Sequence, residues 1–264
     1  MRTIRTLFWV LLLFSVWTNG ASQNLQTQIN ELVWQSKFIF VGTIVRHNAS
    51  TLSVIQDSSR TAVVQVHEVI DGPESLGDYS GKQITVLLED PDKKEADKNL
   101  IFFTNGWLYG KSIAVIEVGS IPWNEESERV KRQIEEEVKK RPDRALMLRL
   151  AEAELVIVGK VEQTKKESPP DHVQRDREHD PDWHEAIIRV IDFVKGQSDQ
   201  KTIRLFYPNS TDVRWYKSPK FRVSQEGIWI LRRKEIGEYT ALDPMDFQRT
   251  DQLERIRRLL KDHK

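Results

Sequence analysis

The chain has 264 residues, 39% of them hydrophobic, with 40 basic and 40 acidic side chains and no cysteine. The missing cysteine excludes disulfides, thiolate metal sites, a cysteine nucleophile and a lipidated N-terminal cysteine. The charge balance argues against nucleic acid as a partner. Short apolar runs between polar stretches predict small β-rich cores rather than one thick α/β core.

Residues 1–22 read as a secretory signal peptide. Arg2 and Arg5 precede the apolar run Leu7–Trp17, and Gly20, Ala21 and Ser22 form a small-residue exit. The run is short for a bilayer span. The expectation is therefore a mature chain starting near Ala21 or Gln23, with no stable membrane insertion after cleavage. The alternative is a chain tethered through an uncleaved N-terminal segment. Small secreted animal domains rely on disulfides, so a cysteine-free exported chain points to a secreted or periplasmic bacterial protein. The sequons at Asn48 and Asn209 then read as chance matches.

Residues 23–123 predict a first domain. An amphipathic helical stretch, Ile29–Ser36, leads into "KFIFVGTIV" (Lys37–Val45), and strands follow near 61–71, 82–89, 99–104 and 112–118. Residues 124–144 predict a linker helix. Glu128–Arg132, Glu135–Lys139, Glu136–Lys140 and Glu137–Arg141 are acid-to-base pairs four apart. Val130, Ile134 and Val138 form one apolar stripe, and Pro142 is expected to end the helix.

Residues 145–248 predict a second domain that repeats the first. Leu146–Ala153 corresponds to Ile29–Ser36. The phrase "ELVIVGKVE" (Glu154–Glu162) corresponds to the first strand, and "EAIIRVIDFVKG" (Glu185–Gly196) to "TAVVQVHEVIDG" (Thr61–Gly72). Strands are expected near 155–163, 185–195, 201–207, 226–233 and 238–243. Gly42 and Gly159, inside the first strand of each copy, predict a bulge or bend. Residues 249–264 predict a C-terminal amphipathic helix with Leu253, Ile256 and Leu260 on one side. The fold class expected is mainly β: two tandem five-stranded OB-like barrels joined by a charged helix, because five short strands hide their edges best in a small barrel.

The segments Phe40–Ile44, Val64–Gly72 and Leu100–Phe103, and Ile157–Val161, Ile188–Gly196 and Ile228–Leu231, resemble the netrin-like, or TIMP-like, OB-fold domain. The endings "EVIDG" and "DFVKG" are its most distinctive pieces. The resemblance implies the OB fold and an extracytoplasmic interaction role. In the animal inhibitors of that family an N-terminal cysteine reaches the zinc of a metalloprotease. This chain has no cysteine, so that activity does not carry over.

The function expected is non-enzymatic binding of a protein or glycan, with no cofactor. Exposed aromatic pairs on barrel loops stack on sugars or anchor a partner. The candidates are Trp107 with Tyr109 and Trp215 with Tyr216, whereas Trp229 reads as core. The alternative is a metal-binding protein or metal-dependent hydrolase using the loop 171–185. Its possible divalent-metal ligands are His172, His179, Asp180, His184 and Glu185. The spacing matches no tight metal motif, and a proline-rich charged loop reads first as a solvated connection. His67 reads as a half-buried structural histidine. Glu68 and Asp192, at matching places, read as carboxylates with a basic or backbone partner.

Overall fold

A computed structural model describes residues 24–94, 96–110, 112–168, 179–235 and 238–262. Residues 1–22, where the sequence predicts a signal peptide, and most of the loop carrying His172 lie outside them. Among the described residues no helix is long and apolar enough to cross a membrane. The chain divides into two compact units, with the boundary between Arg141 and Pro142.

In the first unit, helix α1 (residues 24–35) precedes β1 (Phe38–His47), β2 (Thr61–Asp71), β3 (Gln83–Leu87), β4 (Asn99–Tyr109) and β5 (Ile113–Pro122). The strands close into a barrel in the order β1-β2-β3-β5-β4. The β3–β5 contact is parallel and the other pairings are antiparallel. This is the OB topology. Alternation of side chains sends Phe40, Ile44, Val64, Val66, Ile84, Val86 and Phe102 inward. The rings of Phe40 and Phe102 stack at 5.2 Å.

The outward residues of β1 and β4 are apolar as well, because helices cover them. Ile39, Val41, Ile101 and Phe103 pack with Ile29 and Val33 of α1 and with Val130 and Ile134 of helix α2 (Ser127–Glu152). That accounts for the continuous apolar runs of these strands, since both faces are dry.

Pro142 does not end α2, which continues to Glu152. Proline removes one backbone donor and costs about 3 kcal/mol in a helix interior. Here burial on both sides of it offsets that cost. Val130 and Ile134 are buried in the first unit, and Leu146 and Leu150 in the second. The separate helix expected over 146–153 is thus the second half of α2. Of the intrahelical pairs, Glu137 meets Lys140 instead of Arg141. Arg141 reaches Asp71 at 2.5 Å and the carbonyls of Val33 and Ser36 at 2.6 and 3.0 Å.

The second unit runs from the end of α2 through β6 (Leu155–Lys166), β7 (Asp182–Lys195), β8 (Thr202–Asn209), β9 (Glu226–Leu231), β10 (Arg233–Glu235), β11 (Glu238–Thr240) and β12 (Phe247–Gln248) to helix α3 (Leu253–Asp262). Its pairing repeats the first unit. Phe40, Gly42 and Ile44 face Val69, Val66 and Val64, and Ile157, Gly159 and Val161 face Phe193, Val190 and Ile188. Register shifts fall at the corresponding places, including Val41/Gly42 and Val158/Gly159. β11 lies parallel to β8 as β5 does to β3.

The expected second closed barrel needs correction. The hydrogen-bonded order is an open sheet, β10-β11-β8-β7-β6-β9-β12. Where β4 runs unbroken, its counterpart is split into β9 and β10 at Arg232, whose guanidinium pairs with Glu152. Trp229, Tyr207, Ile188 and Leu205 fill the interior, and Trp229 is fully buried as expected.

The two matched acids are paired: Glu68 with Lys131 of α2, and Asp192 with Arg257 of α3. His67 is exposed rather than half-buried, and its Nε2 meets the Thr43 hydroxyl at 2.7 Å.

The first-strand glycines leave no space for a side chain. A Cβ on Gly42 falls 2.8 Å from both Gln65 O and Val64 Cγ1, and one on Gly159 falls 2.7 Å from Ile188 Cγ2 and 2.8 Å from Arg189 O. Gly42→Ala and Gly159→Ala are each expected to destabilise their own unit by about 1–3 kcal/mol. Gly110→Ala, whose nearest neighbours lie at 3.9 Å, is expected to change stability by less than about 0.5 kcal/mol. Urea unfolding of the three variants checks this ordering.

Candidate functional site

The first barrel presents a rim where the β1–β2 connection (48–60) meets the β4–β5 hairpin. In OB folds these two loops, with the face of strands 2 and 3, are the usual ligand-binding region. Asn48 opens the connection at φ +51°, a left-handed conformation that asparagine tolerates. Ile55 is buried and plugs the loop onto the barrel end.

A hydroxyl cluster then pins both loops to β3. Thr85 is fully buried, and its Oγ1 accepts the Thr51 N–H at 2.8 Å. It also lies 2.9 Å from Thr51 Oγ1 and 3.0 Å from Ser50 Oγ. Thr51 Oγ1 donates to Ser112 Oγ at 3.1 Å, and Ser112 Oγ donates to the Gln83 carbonyl at 3.2 Å. Each buried hydroxyl thus has a partner, which keeps the cluster from being a burial cost.

Above this anchored base stand Val54, Trp107, Leu108 and Tyr109, which are 77, 38, 37 and 62% exposed. The bulge between Gly106 and Leu108 falls at Trp107. The Tyr109 hydroxyl folds back over Gly106, in the space a side chain would need. These four exposed side chains lie on the loop anchored through Thr85 and on the β4–β5 hairpin. The sequence analysis named Trp107 and Tyr109 but not Thr85, Thr51 and Ser112. In sequence Thr85 is one more β-former between Ile84 and Val86, and the bonds that join it to Thr51 and Ser50, 34 and 35 positions away, carry no local pattern.

The candidate aromatics of the second unit, Trp215 and Tyr216, lie at a different place, in the connection between β8 and β9. Trp215 is half-buried, its ring edge-on to that of buried Trp183 at 5.9 Å. Its Nε1 donates to the His179 carbonyl at 2.6 Å, and the Arg214 guanidinium lies 4.9 Å from the ring centre. Tyr216 is 57% exposed, with the Lys217 ammonium 5.4 Å from its ring centre. The pair is therefore divided: Trp215 braces the connection between β8 and β9, and Tyr216 faces outward. Lys220 donates to the carbonyls of Trp215 and Ser218, both at 2.7 Å, and burial lowers its pKa.

The candidate metal ligands do not converge. His172 lies outside the described residues. His179 Nδ1 faces Asp212 at 3.1 Å, Asp180 accepts the Trp183 indole N–H at 3.2 Å, and His184 Nε2 meets Asn209 at 3.3 Å. Glu185 is buried against Arg204, with Lys165 at 3.8 Å. Along β7, Glu185 is buried and its neighbour His184 only half-buried, because adjacent strand residues point to opposite faces. Among the described residues, no three His, Asp or Glu side chains gather as a cation site.

No protein-family model and no curated protein matches the chain. Among solved structures it is similar to the single-stranded DNA-binding protein from Thermus aquaticus, at 9% identity and a TM-score of 0.19, over 81% of this chain and 92% of that one. The sequence analysis set nucleic acid aside as a partner on grounds of charge and export. That structure's name, a single-stranded DNA-binding protein, stands against the exclusion, which is withdrawn; at this TM-score the likeness assigns the chain no partner.

Asp212 closes the bracket around Trp215. Its carboxylate accepts the Arg214 backbone N–H at 2.8 Å and faces His179, and these two contacts, in that order, hold its pKa below the usual 3.8. A depressed carboxylate stabilises above its unfolded pKa, and that contribution is lost as pH falls through the folded value. The near-ultraviolet tryptophan signal is therefore expected to hold from neutral pH down to about 4. Asp212→Ala is expected to show the loosened signal already at pH 7.

Proposed function

We propose that this chain is an exported binding protein built from two duplicated OB units, netrin-like in descent, whose first unit takes a segment of protein or glycan across its loop rim. The observation that carries the reading is the exposed surface of Val54, Trp107, Leu108 and Tyr109 above the hydroxyl-pinned loops. Aromatic side chains held on rigid supports lose little entropy when they stack on a sugar ring or fill a partner's pocket. The shared register of β1–β2 and β6–β7, with bulges at matching glycines, supports duplication. The basic start, apolar run and small-residue exit of residues 1–22 support export. The "EVIDG" and "DFVKG" endings support netrin-like descent, without the zinc-directed chemistry that requires a cysteine.

The test is a set of binding screens on one protein: a glycan array, a displayed peptide library, and a single-stranded oligonucleotide titration at two salt concentrations. A glycan or peptide ligand is expected. Trp107→Ala with Tyr109→Ala is expected to weaken it by at least about 2 kcal/mol, as loss of aromatic anchors does. The thermal midpoint should barely move, since both side chains are exposed. Binding that survives the double substitution overturns the site. Oligonucleotide binding that the double substitution abolishes replaces protein and glycan with nucleic acid.

A further inference from the structure

The strongest unassigned feature is a cleft of about 460 Å³ in the second unit, within the range of small-molecule sites. It lies between the end of α2, the end of β7 and α3. Val194 and Leu260 give it apolar walls, Ala151 leaves one side open, and Lys195, Arg257 and Lys261 stand around it.

Counting back from the first strand, Ala151 occupies the place of Trp34, a half-buried side chain. Val194 corresponds to Ile70, which packs in one apolar cluster with Val138 from the last turn of α2 in that unit. α3 meets Asp192 as α2 meets Glu68. The second unit thus has an alanine where the first has a tryptophan.

The charge at the floor is reversed as well. Asp71, which pairs with Arg141 in the first unit, is replaced by Lys195. Lys195 donates to the carbonyls of Leu150 and Ala151 at 2.7 and 2.9 Å, where it offsets the negative end of the helix. Arg257 is shared with Asp192 at 3.3 Å and Glu254 at 3.0 Å. Among the described residues neither Lys195 nor Lys261 has a carboxylate partner, and no acidic side chain lines the cleft.

We infer that this cleft binds a small amphipathic anion, an alkyl chain with a carboxylate head. The chain lies on Val194 and Leu260 in the space left by the Trp34-to-Ala151 difference. The head turns toward Arg257 and Lys261, because the charge of Lys195 is directed at the helix end.

Calorimetric titration of the whole chain with decanoate, 1-decanol and decyltrimethylammonium tests this. Decanoate is expected to bind at one site, 1-decanol at least tenfold more weakly, and the cation not at all. Ala151→Trp, which restores the first unit's residue, is expected to abolish decanoate binding. Lys261→Glu, on an exposed side chain, is expected to weaken it at least tenfold at an unchanged thermal midpoint. Absence of decanoate binding, equal binding of the alcohol or the cation, or binding unaffected by Lys261→Glu overturns the inference. Should Ala151→Trp fail to fold, Lys261→Glu and the alcohol control decide it without that variant.

Discussion

The architecture depends on one steric constraint, the absence of a side chain at the middle of the first strand of each unit. Each of these strands is paired on both edges, β1 with β2 and β4, β6 with β7 and β9. To be paired on both sides and still curve, the strand shifts register beside the glycine and brings its backbone against the next strand. At Gly42 and Gly159 the neighbouring carbonyl lies 2.8 Å from where a Cβ would be. A β-bulge supplies the bend, and glycine permits the approach. From this follow the inward sets of Phe40 and Ile44, and of Ile157 and Val161.

The helices obey a second requirement, that the outer apolar face of the first strand also be covered. In the first unit α1 and the start of α2 cover it, and in the second the end of α2 and α3 do. A single helix therefore serves both units, which is why Pro142 stands inside it rather than after it. The carbonyls at the end of each leading helix are capped by a cation: Val33 by Arg141, and Leu150 by Lys195. The capping group comes from a helix in one unit and from a strand in the other, so the same electrostatic need at a helix C-terminus is met by different parts of the chain.

The loops are where the units part. The first holds its β1–β2 connection down with a cluster of hydroxyls around Thr85 and leaves Trp107 and Tyr109 exposed. The second spends Trp215 on a bracket with Trp183, His179 and Asp212. Loops tolerate change because their bonds are few and lie at the surface, and so the two units differ there while the sheets keep their register.

The sequence by itself determined the main strands, the two inward faces and the crowded first-strand glycines. These follow from local periodicity and from residue types with one physical use, and they were legible in the two phrases 117 residues apart. The matched acids Glu68 and Asp192 were legible too, since a carboxylate among apolar strand residues requires a partner, although Lys131 and Arg257 had no signature of their own. Only the tertiary structure decided the rest. It carried α2 through Pro142, since burial of Leu146 and Leu150 outweighs the lost hydrogen bond. It broke the strand at Arg232, which pairs with Glu152, and left the second sheet open. It also separated His184 from Glu185, because adjacent strand residues point to opposite faces, and it gave His179 and Asp180 the separate partners Asp212 and Trp183, which no spacing in the sequence reveals.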